Sequence, residues 1–310
     1  MDKDSLIYIA GHTGLIGSSM TKILKNKGYK NLLLKTREEI NLLDQKKVEN
    51  FFKKERPEYV FICAGKTGGI KANIEKKAEF IYENAQINLN LIHSSYKYKV
   101  KKLLYIGCSC MYPVNSPQPM KEEYLLTGSI ESTNEPYAIA KILGLKMCQA
   151  YNFQYKTKFL TVIGGNVFGE GEKQFDEGAH VVPSLIKKFY VSKKEKLESV
   201  EIWGSGNAKR DFIYVDDFVD ACIFLMENYD GDEIINIGMG KGISIKEIAE
   251  ILKEITEFKG EIVFNKNMPE GASVRILDIT KIKKIGWEPK YNIYNGLKMT
   301  YKWFLEKYGK

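Results

Sequence analysis

The sequence predicts an α/β fold in which a doubly wound parallel sheet carries a smaller α/β domain. Three observations predict it. Runs of β-forming residues alternate with helical segments over the first 165 residues, the first run ends in a glycine-rich turn, and the alternation loosens after about residue 166. Repeated strand–helix units of this kind build the Rossmann-type fold, because each crossover helix returns the chain to a parallel neighbour in the same sheet.

The elements can be assigned in order along the chain. The β-forming runs are SLIYIAG, NLLLKT, YVFICAG, KKLLYIGCS and FLTVIGGNVFG. The helical segments are SSMTKILKNKG, QKKVENFFKKE, FIYENAQINLNLIHSSYKYK and YAIAKILGLKMCQAYNFQY. Further on, VVPSLIKKFYVSK and DDFVDACIFLMENY are helical, and IINIG is a β-forming run that can rejoin the sheet.

The two domains are expected to be interleaved in sequence. We predict one domain from residues 1–166 plus about 213–238, and a smaller α/β domain from about 167–212 plus 239–310. The second domain starts where the strand–helix repeat gives way to a loop-rich stretch.

Composition argues against several classes of protein. The net charge is +8, but the lysines are scattered rather than clustered with aromatic residues, so we expect no nucleic-acid partner. No apolar run is long enough for a membrane span, and a β-forming run near the first residue argues against a signal peptide. The five cysteines are odd in number and lie mostly in apolar runs, which favours reduced thiols and a cytoplasmic protein.

Arginine is rare in this chain. Of 47 basic residues only four are Arg. Because Lys serves elsewhere, the remaining arginines are candidates for places that need a planar, bidentate donor to phosphate or carboxylate. Arg56 precedes Pro57 in a charged stretch and looks ordinary, which leaves Arg37, Arg210 and Arg275.

The turn after the first β run indicates a nucleotide site. It carries Gly11, Gly14 and Gly17 between a strand and a helix. Glycines at this spacing permit a tight turn, bring backbone N–H groups against a pyrophosphate and let the helix pack on the sheet. A purely structural turn is the alternative.

The second β run discriminates between the two nicotinamide dinucleotides. NAD sites of this kind usually place an acid at the end of that strand for the ribose 2′-hydroxyl. Here the strand ends in Lys35, Thr36 and Arg37, so we predict NADP(H), with Arg37 on the 2′-phosphate. Asp44 could reach the adenine end, or it could cap the following helix.

A tyrosine and a lysine four residues apart point to proton chemistry. Tyr137 and Lys141 share one face of a predicted helix, which we place after the fifth strand of the sheet. A neighbouring lysine cation and a cationic nicotinamide ring are both expected to lower the pKa of the tyrosine hydroxyl from about 10. Three other pairs have the same spacing and are expected to be surface helix: Tyr98/Lys102, Tyr190/Lys194 and Tyr294/Lys298.

Taken together, these motifs resemble the extended short-chain dehydrogenase/reductases, and within them the GDP-L-fucose synthase subfamily. The stretches that carry the resemblance run almost end to end: YIAGHTGLIGS, INLLD, GKTGGIKAN, GCSCMYP, QPMKEEYLL, STNEPYAIAKI, HVVPSLIKKF, WGSGNAKRDFIYVDD and YKWFLEK. The resemblance implies an NADP-binding first domain, a nucleotide-sugar-binding second domain and a homodimer that pairs through helices of the first domain.

The resemblance also assigns the residues of GCSCMYP. The subfamily's Ser or Thr that hydrogen-bonds the keto oxygen is Cys108 here, and a thiol donates weakly, so Ser109 or Tyr137 takes over polarisation or reduction is slow. Cys110 matches the epimerisation cysteine and His180 its partner acid. A metal pair is disfavoured because no second Cys/His pair stands at ligand spacing, so we expect no metal; a redox C-x-C pair stays open.

The remaining site residues follow from the resemblance. The expected cofactor contacts are Gly11, His12, Thr13, Gly14, Leu15, Ile16, Gly17, Arg37, Asn41, Leu42, Asp44, Lys141, Asn166, Val167 and His180. The expected substrate contacts are Lys188, Trp203, Arg210 and Arg275, with Lys188 at a position that is usually Arg. The segment GGN, residues 164–166, departs from the usual PTN, and its two glycines are expected to loosen the chain near the nicotinamide.

The implied activity is NADPH-dependent reduction at C4 of a GDP-linked 4-keto sugar, a 6-deoxyhexose or a heptose, with epimerisation at C3, C5 or both. Two alternatives stay open. One is a C4-reductase whose substrate is epimerised by a separate protein. The other is a non-catalytic NADP-binding sensor.

Overall fold

The computed structural model describes residues 1–176 and 178–309. Its strands are, in chain order, β1 (Ile7–Ala10), β2 (Leu32–Leu33), β3 (Tyr59–Ile62), β4 (Lys102–Cys108), β5 (Phe159–Gly164), β6 (Asn166–Phe168), β7 (Ser199–Trp203), β8 (Lys209–Arg210), β9 (Phe212–Tyr214), β10 (Ile235–Ile237), β11 (Ile243–Ser244), β12 (Glu261–Asn265) and β13 (Val274–Arg275). Its α-helices are α1 (Leu15–Asn26), α2 (Gln45–Glu55), α3 (Ile70–Glu75), α4 (Lys77–Lys97), α5 (Glu135–Tyr155), α6 (Val181–Lys194), α7 (Val215–Asn228), α8 (Ile245–Thr256), α9 (Thr280–Ile285) and α10 (Ile293–Tyr308).

A six-stranded sheet forms the centre of the molecule. Its order is β10-β5-β4-β3-β1-β2, and every pairing in it is parallel. The residues of β1, β4 and β5 are almost all buried, because a parallel sheet is covered by helices on both faces. This confirms the predicted doubly wound α/β fold.

Side chains of the sheet alternate between two apolar cores. Ile7 and Ile9 of β1 pack with α1 and α7, whereas Tyr8 and Ala10 pack with α2, α4 and α5. Successive residues of a strand point to opposite faces, so a near-continuous apolar strand can supply both cores. The carboxyl ends of β1 and β4 therefore present the glycine turn and the GCSCMYP segment at the same edge of the sheet.

Smaller sheets lie outside the central one. β11, β8 and β13 form a mixed three-stranded sheet, while β12 pairs with β7 and β6 pairs with β9. These strands come from the second half of the chain, and β10 returns to the main sheet beside β5. The predicted domain boundaries stay a prediction.

Three expectations are corrected. The run NLLLKT forms only two residues of strand, because β2 lies at the sheet edge and pairs with β1 at Ile7 and Tyr8 alone. The run FLTVIGGNVFG is divided between β5 and β6. The helix carrying Tyr137 follows β4, the fourth strand in chain order, and not the fifth.

The glycines of GGN are packed tightly and do not loosen the chain. A Cβ on Gly164 would lie 2.7 Å from the Phe218 ring, and one on Gly165 would lie 2.6 Å from the Asp211 carbonyl oxygen. The Asn166 N–H donates to the same carbonyl at 2.6 Å. Glycine is required here because the backbone changes sheets through a space too narrow for a side chain.

In the described part of the chain, no helix is long and apolar enough to cross a membrane. All five cysteines are free thiols. No group of three or more His, Cys, Asp or Glu side chains within residues 1–176 and 178–309 could hold a metal ion.

Candidate active site

The glycine turn between β1 and α1 is built for close backbone approach. Gly11 has φ +82°, and a Cβ there would lie 2.7 Å from the Ala64 backbone. A Cβ on Gly17 would lie 2.1 Å from the Gly11 carbonyl oxygen, so α1 can start where it does only with glycine at this position. Gly14 is the N-cap of α1 and is exposed, which leaves the helix N-terminus open to an anionic ligand.

The surroundings of this turn fit a dinucleotide. The Nδ1 atom of His12 is buried without a hydrogen-bond partner, and burial lowers the pKa of this imidazole, with the Lys173 charge acting in the same direction and Glu39 opposing them. Thr13 is exposed, and Leu15 and Ile16, the first residues of α1, are half-buried. Arg37 is exposed just beyond β2, where a ribose 2′-substituent of a bound dinucleotide would be expected.

The residues after Arg37 are ordered by their own hydrogen bonds. Asp44 caps α2 by accepting from the Lys47 N–H at 3.0 Å, which is the second of the two roles predicted for it. Asn41 Oδ1 accepts from the Leu43 N–H at 3.1 Å, and the Leu42 carbonyl oxygen accepts from Asn90 on α4 at 2.8 Å. Their cofactor contacts stay predictions.

Helix α5 places Tyr137 and Lys141 beside the end of β4. Lys141 is only 6% exposed, and its ammonium donates to the Ile106 carbonyl oxygen at 3.0 Å. The same nitrogen lies 5.8 Å from the centre of the Tyr137 ring, so the predicted pair does share one face of the helix. Phe80 packs edge-to-face on Tyr137 with ring centres 6.0 Å apart.

The expected lowering of the Tyr137 pKa is wrong for the protein alone. Burial raises the pKa of Tyr137 well above its usual value, and the thiols of Cys108 and Cys110 add to the rise. Burial lowers the pKa of Lys141, although the same two thiols oppose this. Tyr137 is therefore held as a neutral phenol, which is the form that can donate a proton.

Cys108 and Cys110 are brought into direct contact. β4 ends at Cys108, and residues Ser109–Met111 make a single turn of 3-10 helix that places the two Sγ atoms 2.7 Å apart. Burial would raise the pKa of Cys108, but its hydrogen bond with Cys110 and the charge of Lys141 bring that pKa below the usual value. The pKa of Cys110 is raised well above the usual value, by the hydrogen bond to Cys108 and then by burial.

Arg275 binds the backbone of this turn. It is 7% exposed, and its Nη1 donates to the carbonyl oxygens of Ser109 at 2.9 Å and Tyr112 at 3.3 Å. Its Nη2 is buried without a partner. In the parallel pairing of β13 with β8, Arg275 stands directly opposite Arg210. Two cations opposite each other on neighbouring strands repel each other, so an anion would be stabilised between them.

One predicted substrate residue, Trp203, lines a cavity of about 430 Å³. Trp203 and Glu201, on the same face of β7, line it together with α3. The ammonium of Lys188 lies 5.8 Å from the Trp203 ring and donates to the Glu201 carbonyl oxygen at 2.8 Å. Arg210 donates to the Glu270 carbonyl oxygen at 3.3 Å, and burial followed by the Arg275 charge lowers its pKa to about 10.

His180 is placed at the start of α6, as its N-cap residue. Burial of its ring by surrounding protein lowers its pKa, and Glu172 opposes this, although the side chain still has an exposed surface. Among the described residues, no hydrogen bond joins His180 to Cys110. Their partnership, like the roles of Ser109, Asn166 and Val167, stays a prediction.

The residues that hold α5 in place are not among those predicted from the sequence. Asn88 on α4 donates to the Tyr105 hydroxyl at 3.1 Å and to the Ala140 carbonyl oxygen at 2.9 Å. Tyr105 in turn donates to the Lys141 carbonyl oxygen at 3.1 Å. The signal was present as Asn84 and Asn88, two amides one turn apart on a helix face that is otherwise apolar.

Comparison with known proteins places this geometry among nucleotide-sugar enzymes. Residues 7–238 match the NAD dependent epimerase/dehydratase family. A putative GDP-L-fucose synthase 2 of Arabidopsis thaliana is 45% identical over 306 residues, which are 99% of this chain and 93% of the plant protein. A GDP-6-OMe-4-keto-L-xylo-heptose reductase from C. jejuni superposes with a TM-score of 0.94 at 39% identity, over 99% of each chain. A GDP-mannoheptose C4 reductase from Campylobacter jejuni, solved with NADP bound, has a TM-score of 0.89 at 41% identity, over 98% of this chain and 99% of that one.

Proposed function

Because the chain belongs to the NAD dependent epimerase/dehydratase family, on the branch of the GDP-L-fucose synthases, we propose that it reduces C4 of a GDP-linked 4-keto sugar with NADPH. The observation that carries the proposal is the pair of half-buried Tyr137 and buried Lys141 beside the Cys108–Cys110 turn, at the sheet edge that also carries the glycine turn. A non-catalytic sensor would not need a proton donor at this edge of the sheet.

The cofactor site fits NADP(H). The glycine turn leaves no room for side chains, and Gly14 exposes the N-terminus of α1 for a pyrophosphate. Arg37 is free to meet a 2′-phosphate, which an acidic residue at this place would repel. When bound, NADPH supplies the hydride that C4 receives.

Tyr137 is the proton donor in the reduction. The oxygen at C4 gains negative charge as C4 is reduced, and a neutral phenol within reach can give it a proton. Lys141, fixed by the Ile106 carbonyl oxygen, places a positive charge near the phenolate that remains. Cys108 stands where a stronger donor would otherwise assist, so most of the polarisation falls to Tyr137.

The arginines opposite each other on β8 and β13 are the proposed diphosphate site. Arg275 Nη2 has no partner in the described residues, and Arg210 stands directly across from it. Two forked guanidinium groups suit the paired phosphates of a nucleoside diphosphate. Beyond them, the cavity with Trp203 offers an apolar face for the base or the sugar.

Epimerisation is the second half of the proposal. A 4-keto group makes the protons at C3 and C5 acidic, so a side chain on one face can remove a proton while another returns one to the opposite face. Cys110 is the proposed base and His180 the proposed acid. Both carry perturbed pKa values.

A C4-reductase without epimerase activity is the second candidate. Two similar solved proteins are described as reductases, and no described hydrogen bond links His180 to Cys110. Cys110 also has a raised pKa, which opposes its use as a base.

One reaction in D₂O tests both candidates. The protein is mixed with NADPH and GDP-4-keto-6-deoxymannose, in parallel with the 4-keto heptose analogue, and the products are analysed by NMR and mass spectrometry. NADPH oxidation with deuterium at C3 or C5 supports epimerisation followed by reduction. Oxidation without deuterium leaves the C4-reductase, and binding of NADPH with no turnover of any GDP-4-keto sugar would favour the sensor.

We infer a homodimer that pairs through α4 and α5. Apolar side chains stay exposed on both helices, with Tyr82 63% and Phe153 82% exposed. Leu89 lies two turns from Tyr82 on the same face of α4. Sedimentation should show a dimer that the double variant Tyr82→Glu/Phe153→Glu converts to monomer, whereas Leu197→Glu, at an exposed residue outside these helices, should stay dimeric. A monomeric parent protein would contradict the inference.

A further inference from the structure

The contact between Cys108 and Cys110 has a chemistry of its own. Their Sγ atoms are 2.7 Å apart, and a disulfide bond needs about 2.05 Å, so the sulfurs have to approach by less than about 1 Å to bond. The turn that sets this distance is held at both ends. Arg275 binds the carbonyl oxygens of Ser109 and Tyr112, and the Cys108 N–H donates to Met111 Sδ at 3.4 Å.

The two thiols also differ in acidity. The charges of Lys141 and Arg275 help to bring the pKa of Cys108 below its usual value, whereas the pKa of Cys110 is raised. A more acidic thiol in contact with a less acidic one is the arrangement in which the first attacks an oxidant and the second resolves the product. Both side chains are half-buried, so a small reagent can reach them.

The other three cysteines lack these features. Cys148 and Cys222 are buried in the cores, and burial raises the pKa of both. Cys63 is half-buried, but burial raises its pKa to about 12. Cysteines with raised pKa values react slowly with oxidants, so they serve as internal controls.

We propose that Cys108 and Cys110 form an oxidisable dithiol, a modification site for low-molecular-weight disulfides, and that the disulfide form is inactive. With a small disulfide, the Cys108 thiolate attacks one sulfur, forms a mixed disulfide and releases one thiolate. Cys110 then loses its proton, and its sulfur displaces the second small thiol from Cys108. Two protein thiols are oxidised to one disulfide, and the reagent is reduced to two thiols.

Closure would stop turnover without unfolding the protein. The disulfide takes up the sulfurs of both Cys108 and Cys110 beside Tyr137. The glycine turn of residues 11–17 contains neither sulfur, so NADP(H) binding should persist. This loss of activity rests on the function proposed above, whereas the oxidation itself does not.

Mass spectrometry of the full chain tests the oxidation. The protein is incubated with oxidised glutathione, blocked with N-ethylmaleimide and digested with trypsin. We expect the peptide spanning residues 103–121 to lose two hydrogens and to carry no label, and dithiothreitol to restore two labels. The peptides with Cys63, Cys148 and Cys222 should be labelled equally with and without oxidant after denaturation. Glutathione retained on Cys108 or Cys110, or full labelling of both, would overturn the proposal.

Matched variants separate closure from other damage. Cys110→Ser should keep one glutathione on Cys108 because no second sulfur displaces it, and Cys63→Ser should form the Cys108–Cys110 disulfide as the parent does. Oxidised parent protein should lose turnover more than about tenfold relative to its reduced form, keep its NADPH affinity and recover with dithiothreitol. A disulfide that forms while turnover persists would refute the inactive state. If the reduced protein never turns over a GDP-4-keto sugar, the proposed function fails. The labelling result still shows whether Cys108 and Cys110 form a disulfide.

Discussion

At the scale of single residues, we propose that Arg37 selects the nucleotide and that Tyr137 supplies the proton. Each has a counterpart elsewhere in the chain that shares its residue type or spacing but not its surroundings. Arg56 contacts the Tyr98 ring from 4.9 Å, and Tyr98 donates to Glu49 at 3.2 Å, far from the sheet edge that holds the site. These counterparts are natural controls.

Arg37→Ala should weaken NADPH binding by about tenfold or more, because a charge-assisted contact to phosphate contributes about 1.5–3 kcal/mol. The affinity for NADH should change little. Fluorescence titration with both nucleotides measures the ratio, and Arg56→Ala should leave it as in the parent. Equal weakening for the two nucleotides would show that Arg37 does not read the 2′-phosphate.

Tyr137→Phe should lower kcat by about 10²–10⁴, the usual contribution of a positioned proton donor. NADPH affinity should stay within about twofold, because the phenol oxygen is not part of the glycine turn. Steady-state kinetics with the keto sugar checks the first expectation and nucleotide titration the second. Tyr98→Phe, which keeps the same spacing to a lysine, should retain full turnover.

At the scale of elements, the glycine turn depends on two separate constraints. Gly11 and Gly28 both have positive φ, +82° and +87°, so an alanine at either position meets backbone strain. Only Gly11 also faces the Ala64 backbone; a Cβ at Gly28 has nothing within 4 Å. Substitution of Gly28 therefore tests backbone strain alone, whereas substitution of Gly11 tests strain together with the steric contact to Ala64.

Gly28→Ala should cost about 1–2 kcal/mol of unfolding free energy and leave NADPH affinity unchanged. Gly11→Ala should cost more and reduce NADPH affinity by at least about tenfold, because the turn has to move away from β3. Urea unfolding and nucleotide titration measure the two quantities. Similar affinities for both variants would contradict a turn fixed by contact with Ala64.

Local features of this site could be read from the sequence, and distant ones could not. The glycine triplet and the Tyr137–Lys141 pair are set by spacing along one turn or one helix. The tight packing of Gly165 against the Asp211 carbonyl oxygen and the Arg275 contacts to the Cys108–Cys110 turn join segments far apart in the chain. No local pattern encodes such contacts, which is why GGN was misjudged as a loose segment.

At the scale of the whole molecule, Asp211 joins the second-half segments around one buried carboxyl group. It is 1% exposed and accepts from the N–H groups of Met239 at 2.7 Å, Gly240 at 3.1 Å and Leu277 at 3.3 Å. Burial nevertheless raises its pKa from 3.8 to about 6, because the three hydrogen bonds only partly offset the lost hydration.

This shift gives stability a defined pH dependence. Between pH 3.8 and about 6 the folded protein keeps a proton on Asp211 that the unfolded chain loses, so the contribution of Asp211 to stability falls as pH rises through this window. The free energy of unfolding of the parent, minus that of Asp211→Asn, should decrease by about 3 kcal/mol from below the window to above it. Urea unfolding of both proteins across the window tests this, and a constant difference would contradict it.

The position of Arg275 also sets an order of assembly. The Cys108–Cys110 turn depends on a donor 166 residues further along than Ser109, whereas the glycine turn at residues 11–17 needs only β3 and the helix that follows it. During synthesis from the N-terminus, the nucleotide-binding half of the cleft can therefore form early. The reactive sulfurs gain their final support only when almost the entire chain has left the ribosome, so a nascent chain could hold its cofactor long before it could act on a sugar.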